Sequence, residues 1–344
     1  MSLPAYVQDI LSQPNSLRRA IQGYPAGALD DLRLQLERGD FKRIVLTGMG
    51  ASLFAAYPAT LELARLPLPV SLVETAELLH FFPEQVTDDA LMWIVSQSGR
   101  SAEVRGLVDL PNKPAFTLAT TNEMDSPLAQ SADLVLPLYA GDEYTVSTKT
   151  YLNTLAVLAL AVGELTGQSL TGCMDALNEA AEAVEEYLSA WQDHVEELKK
   201  KVGLPRHLYY LGRGPSLAAA ETGRLIVTES AKFLSQSMSA GAFRHGPLEL
   251  ADETLVTLIF AGPSKTRDLN LSLARDILRY GGKAFWVDDR PADGVPLIRI
   301  PKAPEIARPI VEILPLQLLS LALAEQNGVI PGEFRNIGKV VLEE

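Results

Sequence analysis

The sequence predicts an α/β protein built from two tandem parallel-sheet αβα units related by internal duplication. Three observations carry this reading. The 344 residues are 47% hydrophobic and 21% charged, a balance that supports a packed core rather than disorder, and at ~100–200 residues per domain the chain has room for two. Short apolar runs alternate with helical patterns, as in parallel strands joined by crossover helices. The chain also repeats itself with a shift of 164 residues. TGMGASL, from Thr47, falls over LGRGPSL, from Leu211, so that Gly48, Gly50, Ser52 and Leu53 match Gly212, Gly214, Ser216 and Leu217. Without a gap, ALMWIVSQSG from Ala90 then falls over TLVTLIFAGP from Thr254.

Residues 1–34 read as an N-terminal helical segment. They have no basic leader ahead of an apolar core, so no signal peptide is expected. The first unit covers 35–170, with strands at 43–47 (RIVLT), 91–95 (LMWIV), 115–119 (AFTLA) and 133–138 (DLVLPL). Such continuous apolar runs suit strands covered on both faces. Residues 171–202 lack Pro and Gly after Gly172 and read as one long amphipathic linker helix. The second unit covers 203–326, with strands at 208–211, 255–260, 284–288 and 297–300. A helix over 216–234 leaves its GRGPS turn, and a last helix spans 306–326. Residues 327–344 form a tail. No apolar run reaches ~18 residues without a charge or a breaker, so no membrane span is expected, and a cytoplasmic location follows as the default.

Composition narrows the chemistry. Thirty basic against 43 acidic residues leave a net charge of −13, which opposes general nucleic-acid binding. A phosphate ligand must therefore be held by a local site. Cys173 is the single cysteine, which excludes a disulfide framework and a cysteine-rich metal site. The four histidines, His80, His194, His207 and His245, show no metal-ligand spacing.

Ser96-Gln97-Ser98-Gly99-Arg100-Ser101 follows the strand LMWIV. In a parallel sheet ligands bind beyond the carboxyl ends of the strands. A turn there that opens a helix offers N–H groups and a positive dipole end to an anion. The three serine hydroxyls, with Ser52 after the first strand, make a neutral cradle suited to one phosphomonoester. It lacks the lysine of a P-loop. An isolated SQSG is equally a helix N-cap, but the repeat argues otherwise. Under the 164-residue shift Ser96, Ser98 and Ser101 become Phe260, Gly262 and Lys265, and a mere cap has no reason to be serine-dense in one copy. Half two holds the other candidates. Glu229 lies on the helix 216–234, where a solvated surface glutamate is the bland alternative. His245 lies on a loop set by Gly246-Pro247, where a backbone-satisfied histidine is the alternative. Lys339 lies in the tail, where a solvated lysine is the alternative.

Five motifs in order, SQSGRSAE from Ser96, AGDEYTVSTKTY from Ala140, LGRG from Leu211, AGAFRHGPLEL from Ala240 and FRNIGKVVLEE at the end, resemble the double sugar isomerase (SIS) family. The likeness is greatest to the isomerase half of glucosamine-6-phosphate synthase and its stand-alone phosphosugar isomerase and deaminase relatives, and covers residues 35–344. The resemblance implies two flavodoxin-like SIS domains. It implies that Ser52, Ser96, Gln97, Ser98 and Ser101 hold a sugar 6-phosphate, and that the STK element from Ser147, with Thr145 just before it, closes over the sugar. It also implies that Glu229 moves a proton between C1 and C2, that His245 opens the ring from a neighbouring subunit of a homodimer, and that Lys339 forms a Schiff base with the open-chain ketose.

Two departures matter. The synthase carries a lysine three residues before the glutamate, where this chain has Ile226. The synthase also begins with a glutamine-hydrolysing domain whose nucleophile is an N-terminal cysteine, whereas Cys173 lies in the linker, so glutamine-dependent amination by this chain is not expected. The chemistry stands without the family name. Aldose–ketose interconversion needs a base tuned by burial, a ring-opening group such as neutral His and a remote anchor that aligns the sugar. No metal or other cofactor is required. The expected function is isomerisation of a hexose 6-phosphate or deamination of glucosamine 6-phosphate to fructose 6-phosphate. The alternatives are a deglycase of a sugar-phosphate amine adduct, the deaminase run in reverse with ammonia, and a sugar-phosphate-binding regulator without turnover.

Overall fold

The computed structural model describes residues 3–336 and 338–343. Ten strands form two five-stranded parallel sheets. The first contains β1 (Arg43–Gly48), β2 (Val70–Glu74), β3 (Ala90–Val95), β4 (Phe116–Thr121) and β5 (Leu134–Pro137). The second contains β6 (His207–Gly212), β7 (Gln236–Ser239), β8 (Leu255–Phe260), β9 (Lys283–Asp288) and β10 (Leu297–Arg299). The orders are β2-β1-β3-β4-β5 and β10-β9-β8-β6-β7. Counted from its own first strand, each sheet reads 2-1-3-4-5, the flavodoxin-like order with its switch point between the first and third strands. Every residue of β3 and β8 is buried, as expected of central strands.

The sequence reading missed the two edge strands. β2 (VSLVE) and β7 (QSMS) carry no continuous apolar run because each is only partly covered. The ungapped repeat also needs correction. Arg43 pairs with Ala90 on β3, whereas His207, its counterpart, pairs with Leu255 on β8. Copy two has thus slipped by one residue, and a slip of one turns a strand over. The sheet counterparts of Ser96, Ser98 and Ser101 are Ala261, Pro263 and Thr266 rather than Phe260, Gly262 and Lys265.

The expected linker helix is two helices, Leu170–Ser189 and Trp191–Val202. They are separated at Ala190, whose φ of −111° and ψ of 28° leave the helical region. The helix read over 216–234 ends at Ala231, and the one read over 306–326 is broken at Ile313, between Arg308–Glu312 and Leu314–Gln326. Pro315 lies in the first turn of the latter, where proline's missing N–H is harmless but cannot continue the preceding ladder. Residues Glu305–Gln326 have the length and apolarity to cross a membrane, yet 89% of their most apolar window is buried within the protein.

Two compact units do not follow chain order. One contains Asn15–Glu143, Lys149–Asn178 and the tail from Arg335, around the first sheet. The other contains the residues up to Pro14, Tyr144–Thr148 and Glu179–Phe334, around the second. In the first, Val45, Met92, Ile94 and Ala119 pack with Val104, Leu107 and Leu128. In the second, Leu211, Ile259 and Trp286 pack with Phe243, Leu273 and Ile277. Cys173 is buried, and burial pushes its thiol pKa up, the reverse of what a nucleophile needs.

A buried polar network fixes the start of the helix Ser216–Ala231. Glu312 accepts from Ser216 Oγ at 2.9 Å and from Arg308 Nε at 2.8 Å. Arg308 also donates to Asp288 Oδ1 at 2.6 Å, and Arg267 pairs with Asp288. Burial raises the Glu312 carboxyl from 4.5 to about 7 against the pull of Arg308. A folded-state pKa above the unfolded one means stability that is full below pH 4.5 and is lost as pH rises to about 7. At ~1.4 kcal/mol per unit the change is on the order of a few kcal/mol. Glu312→Gln is expected to flatten the fall in unfolding midpoint across that window. Parallel curves for the two proteins would show that Glu312 does not titrate there.

Candidate functional site

β3 ends at Val95 and the helix Ala102–Val108 begins seven residues later, leaving Ser96 to Ser101 as the turn. Ser96 Oγ accepts from Gly99 N at 3.1 Å, Ser98 Oγ from Arg100 N at 3.2 Å and Ser101 Oγ from Val104 N at 3.5 Å. Each serine thus spends a lone pair on the turn and retains its O–H for a ligand. The carbonyls are tied down from outside: Gln97 O accepts from Asn122 N at 3.0 Å and Thr121 Oγ1 at 3.1 Å, and Gly99 O from Leu128 N at 3.3 Å. The N–H groups of Gln97 and Ser98 have no partner among the described residues. Gly99 has φ +58°, and a β-carbon there would run into Ser126 Oγ, so only glycine fits. Ser96 and Ser98 are 9% and 8% exposed. Arg100 points away and pairs with Asp125 at 2.7 Å. Ser52 is the second residue of the helix Ala51–Leu63 that follows β1. β1 and β3 are neighbours, so both turns flank the crevice at the switch point.

The same crevice in the second unit is built differently. Only three residues, Ala261, Gly262 and Pro263, separate β8 from the helix Ser264–Arg279. Asn270, fully buried, donates to Phe260 O at 3.0 Å and Ala261 O at 3.2 Å and accepts from Arg213 Nε at 3.0 Å. Side chains satisfy one another there, and no serine-lined donor loop exists.

The tail meets the first unit beside the serine turn. Ala102 N donates to Val341 O at 3.1 Å, and Lys339 Nζ lies 2.6 Å from Glu143 Oε2. The Glu143 side chain is fully buried and also accepts from Thr150 N at 3.1 Å and Thr150 Oγ1 at 2.6 Å. Asn122 ties the same region to the serine turn: its Oδ1 accepts from Ala140 N at 2.9 Å and its Nδ2 donates to Gly141 O at 3.1 Å. Sequence reasoning missed Glu143 and Asn122. Glu143 lay inside a quoted motif, but nothing in residue type or spacing marks a carboxylate that will be buried against a lysine 196 positions away. The neighbour that the structure gives Lys339 is thus a carboxylate. Docking of the tail is partial: Phe334 and Val340 are half-buried, Val341 and Leu342 are 46% and 57% exposed, and Ile337 lies outside the described residues.

Thr145, Ser147, Glu229 and His245 fall in the other unit. Thr145 Oγ1 donates to Asp9 Oδ2 at 3.2 Å, and Ser147 is half-buried ahead of the buried Thr148. Glu229 is half-buried in the last turn of the helix Ser216–Ala231. That helix lies so close to Leu314–Gln326 that a β-carbon on Gly223 would overlap Leu316. Ile226, one turn before Glu229, is 1% exposed and part of the core. His245 is exposed in the turn after the helix Ala240–Phe243, its N–H bonded to Ala242 O at 2.9 Å.

The SIS domain family matches residues 40–163 and 205–324, one match over each sheet. The chain belongs to the SIS domain family. It is 31% identical to glutamine–fructose-6-phosphate aminotransferase [isomerizing] of Pyrococcus horikoshii, over 98% of this chain and 57% of that protein. The chain therefore spans little more than half the length of that relative. Its fold matches the C-terminal domain of glucosamine-fructose-6-phosphate aminotransferase from Francisella tularensis with a TM-score of 0.85 at 22% identity, covering 96% of this chain and 98% of that one. It matches glucosamine-6-phosphate deaminase from Thermotoga maritima with a TM-score of 0.76 at 19% identity, covering 98% and 99%. The serine turn thus belongs to the first SIS domain, and Glu229 and His245 to the second.

Proposed function

We propose that this SIS protein is a phosphosugar isomerase or deaminase acting on a hexose or amino-sugar 6-phosphate, with conversion of glucosamine 6-phosphate to fructose 6-phosphate and ammonia as the reaction to test first. One observation carries the reading: the serine-lined turn at the switch point of the first SIS domain, set against the short, side-chain-filled loop of the second. Its neutral donors suit a single phosphomonoester held away from the reacting carbons. In this reading Ser52, Ser96, Gln97, Ser98 and Ser101 hold the phosphate, and Thr145 and Ser147 border the sugar. His245 of the partner subunit in a homodimer opens the ring. Glu229 takes the proton from C2 of the open-chain aldose and returns it at C1. For a hexose this leaves the ketose. For an amino sugar it leaves the C2 imine, and water then replaces nitrogen, releasing ammonia and the C2 ketone.

The test is a panel of hexose and hexosamine 6-phosphates with ketose and ammonia followed together. Ketose without ammonia selects the isomerase, both together select the deaminase, and tight binding without either product selects the regulator.

Ser98→Ala is expected to raise KM by about tenfold or more, since a hydrogen bond to a charged group contributes roughly 1.5–3 kcal/mol. Ser264→Ala, at the exposed start of the helix after the second-domain loop, is expected to leave KM unchanged. Equal effects would end the one-sided assignment.

A further inference from the structure

The helix that carries Glu229 ends in an unusual clamp. Every helix leaves its last carbonyls without intrahelical partners. In Ser216–Ala231 the last three each accept from elsewhere: Glu229 O from Lys232 Nζ, Ser230 O from Gly332 N at 3.4 Å and Ala231 O from Asn327 Nδ2 at 3.0 Å. Asn327 and Gly332 belong to the segment that directly follows the last core helix, Leu314–Gln326. Lys232 joins that segment as well, because the same ammonium donates to Glu333 O at 2.5 Å. One cation therefore ties the turn of Glu229 to the chain at Glu333.

Lys232 reaches this position through a left-handed backbone, φ 53° and ψ 36°, where glycine is the usual residue at a helix end and a side chain is disfavoured. An ammonium at a helix C-terminus interacts well with the dipole there. The place one turn before Glu229 is the buried, apolar Ile226. Lys232 brings a cation to the turn of Glu229 from its C-terminal side.

We propose that Lys232 is a positioning residue for Glu229: by bridging the Glu229 and Glu333 carbonyls it holds the last helical turn, and with it the carboxylate, against residues 327–333. The proposal rests on the reading of Glu229 as the proton carrier. Three variants separate it from a plain cap. Lys232→Met keeps the length and removes the donors. Lys232→Gly removes the donors and relieves the left-handed backbone. Lys232→Arg keeps a cation with donors.

On whichever sugar phosphate the unaltered protein converts, the Met and Gly variants are expected to lose at least about tenfold in kcat with KM within about twofold. The Arg variant is expected to recover most of that loss, and the Gly variant to unfold no earlier than the parent. A Gly variant with unchanged kcat would overturn the proposal. Hydrogen exchange gives a readout that needs no substrate: amides at 230–236 and 328–334 are expected to exchange faster in the Met and Gly variants, and unchanged protection would overturn the clamp itself. If the unaltered protein turns over no sugar phosphate, the role of Glu229 falls with the functional reading, and exchange alone decides whether Lys232 clamps the helix end.

Discussion

Glu229→Gln is expected to lower kcat by about 10²–10⁴-fold, the range a positioned general base contributes, with KM little changed. The reason is geometric. Glutamine keeps the shape of the last turn of Ser216–Ala231, where Glu229 is half-buried, but it cannot take the C2 proton. The serine turn that would hold the phosphate is untouched, so binding survives while chemistry stops. His245→Ala is expected to be comparably inactive on closed-ring substrate. Its side chain is exposed in the turn before Gly246, where it is available to a second copy. Mixed after dissociation and reassociation, the two inactive chains are expected to regain part of the parent activity, because one hybrid site then receives an intact glutamate and an intact histidine. Exchange shown by tagged chains, without recovery, would mean that each subunit completes its own site and that the cross-subunit role of His245 is wrong.

The central strands and the serine turn were legible because both rest on local signals. β3 and β8 are apolar at nearly every residue, and the turn is dense in one residue type. The edge strands were not legible, because β7, a run of Gln, Ser, Met and Ser, owes its conformation to its neighbour β6 and to nothing in its own composition. The break at Ala190 was invisible for a related reason: alanine is the best helix former, and tertiary packing overrides that preference. The one-residue slip between the copies left only small matches in sequence, yet it changes which residues face the second crevice. The site was half legible. Serines, glutamate, histidine and lysine stand in recognisable motifs, whereas Glu143, Asn122 and Lys232 are marked only by their contacts with backbone groups and charges up to 196 positions away. Such partners are fixed by folding, and no spacing along the chain announces them.

Lys339 is expected to act first as a latch. Its ammonium lies 2.6 Å from a fully buried carboxylate that also accepts two bonds from Thr150. A paired ammonium is not a nucleophile; to attack a carbonyl it must leave Glu143 and lose a proton. Removing one partner of a buried pair costs roughly 3–5 kcal/mol, and with Lys339 23% exposed the lower end applies. Lys339→Met and Glu143→Gln are therefore each expected to free the tail, seen as faster proteolysis after Phe334, and to reduce turnover strongly. Lys339→Arg preserves the pair and is expected to keep near-normal turnover, with no adduct when a ketose phosphate and borohydride are added to the unaltered protein. The opposite pattern, a trapped adduct on Lys339 and an inactive Arg variant, would mean that substrate displaces Glu143 and that the lysine acts covalently. Glu143→Gln separates the two further. A latch loses activity when the carboxylate goes, whereas a Schiff-base lysine freed from that pair stays open to the ketose carbonyl and should still be trapped by borohydride.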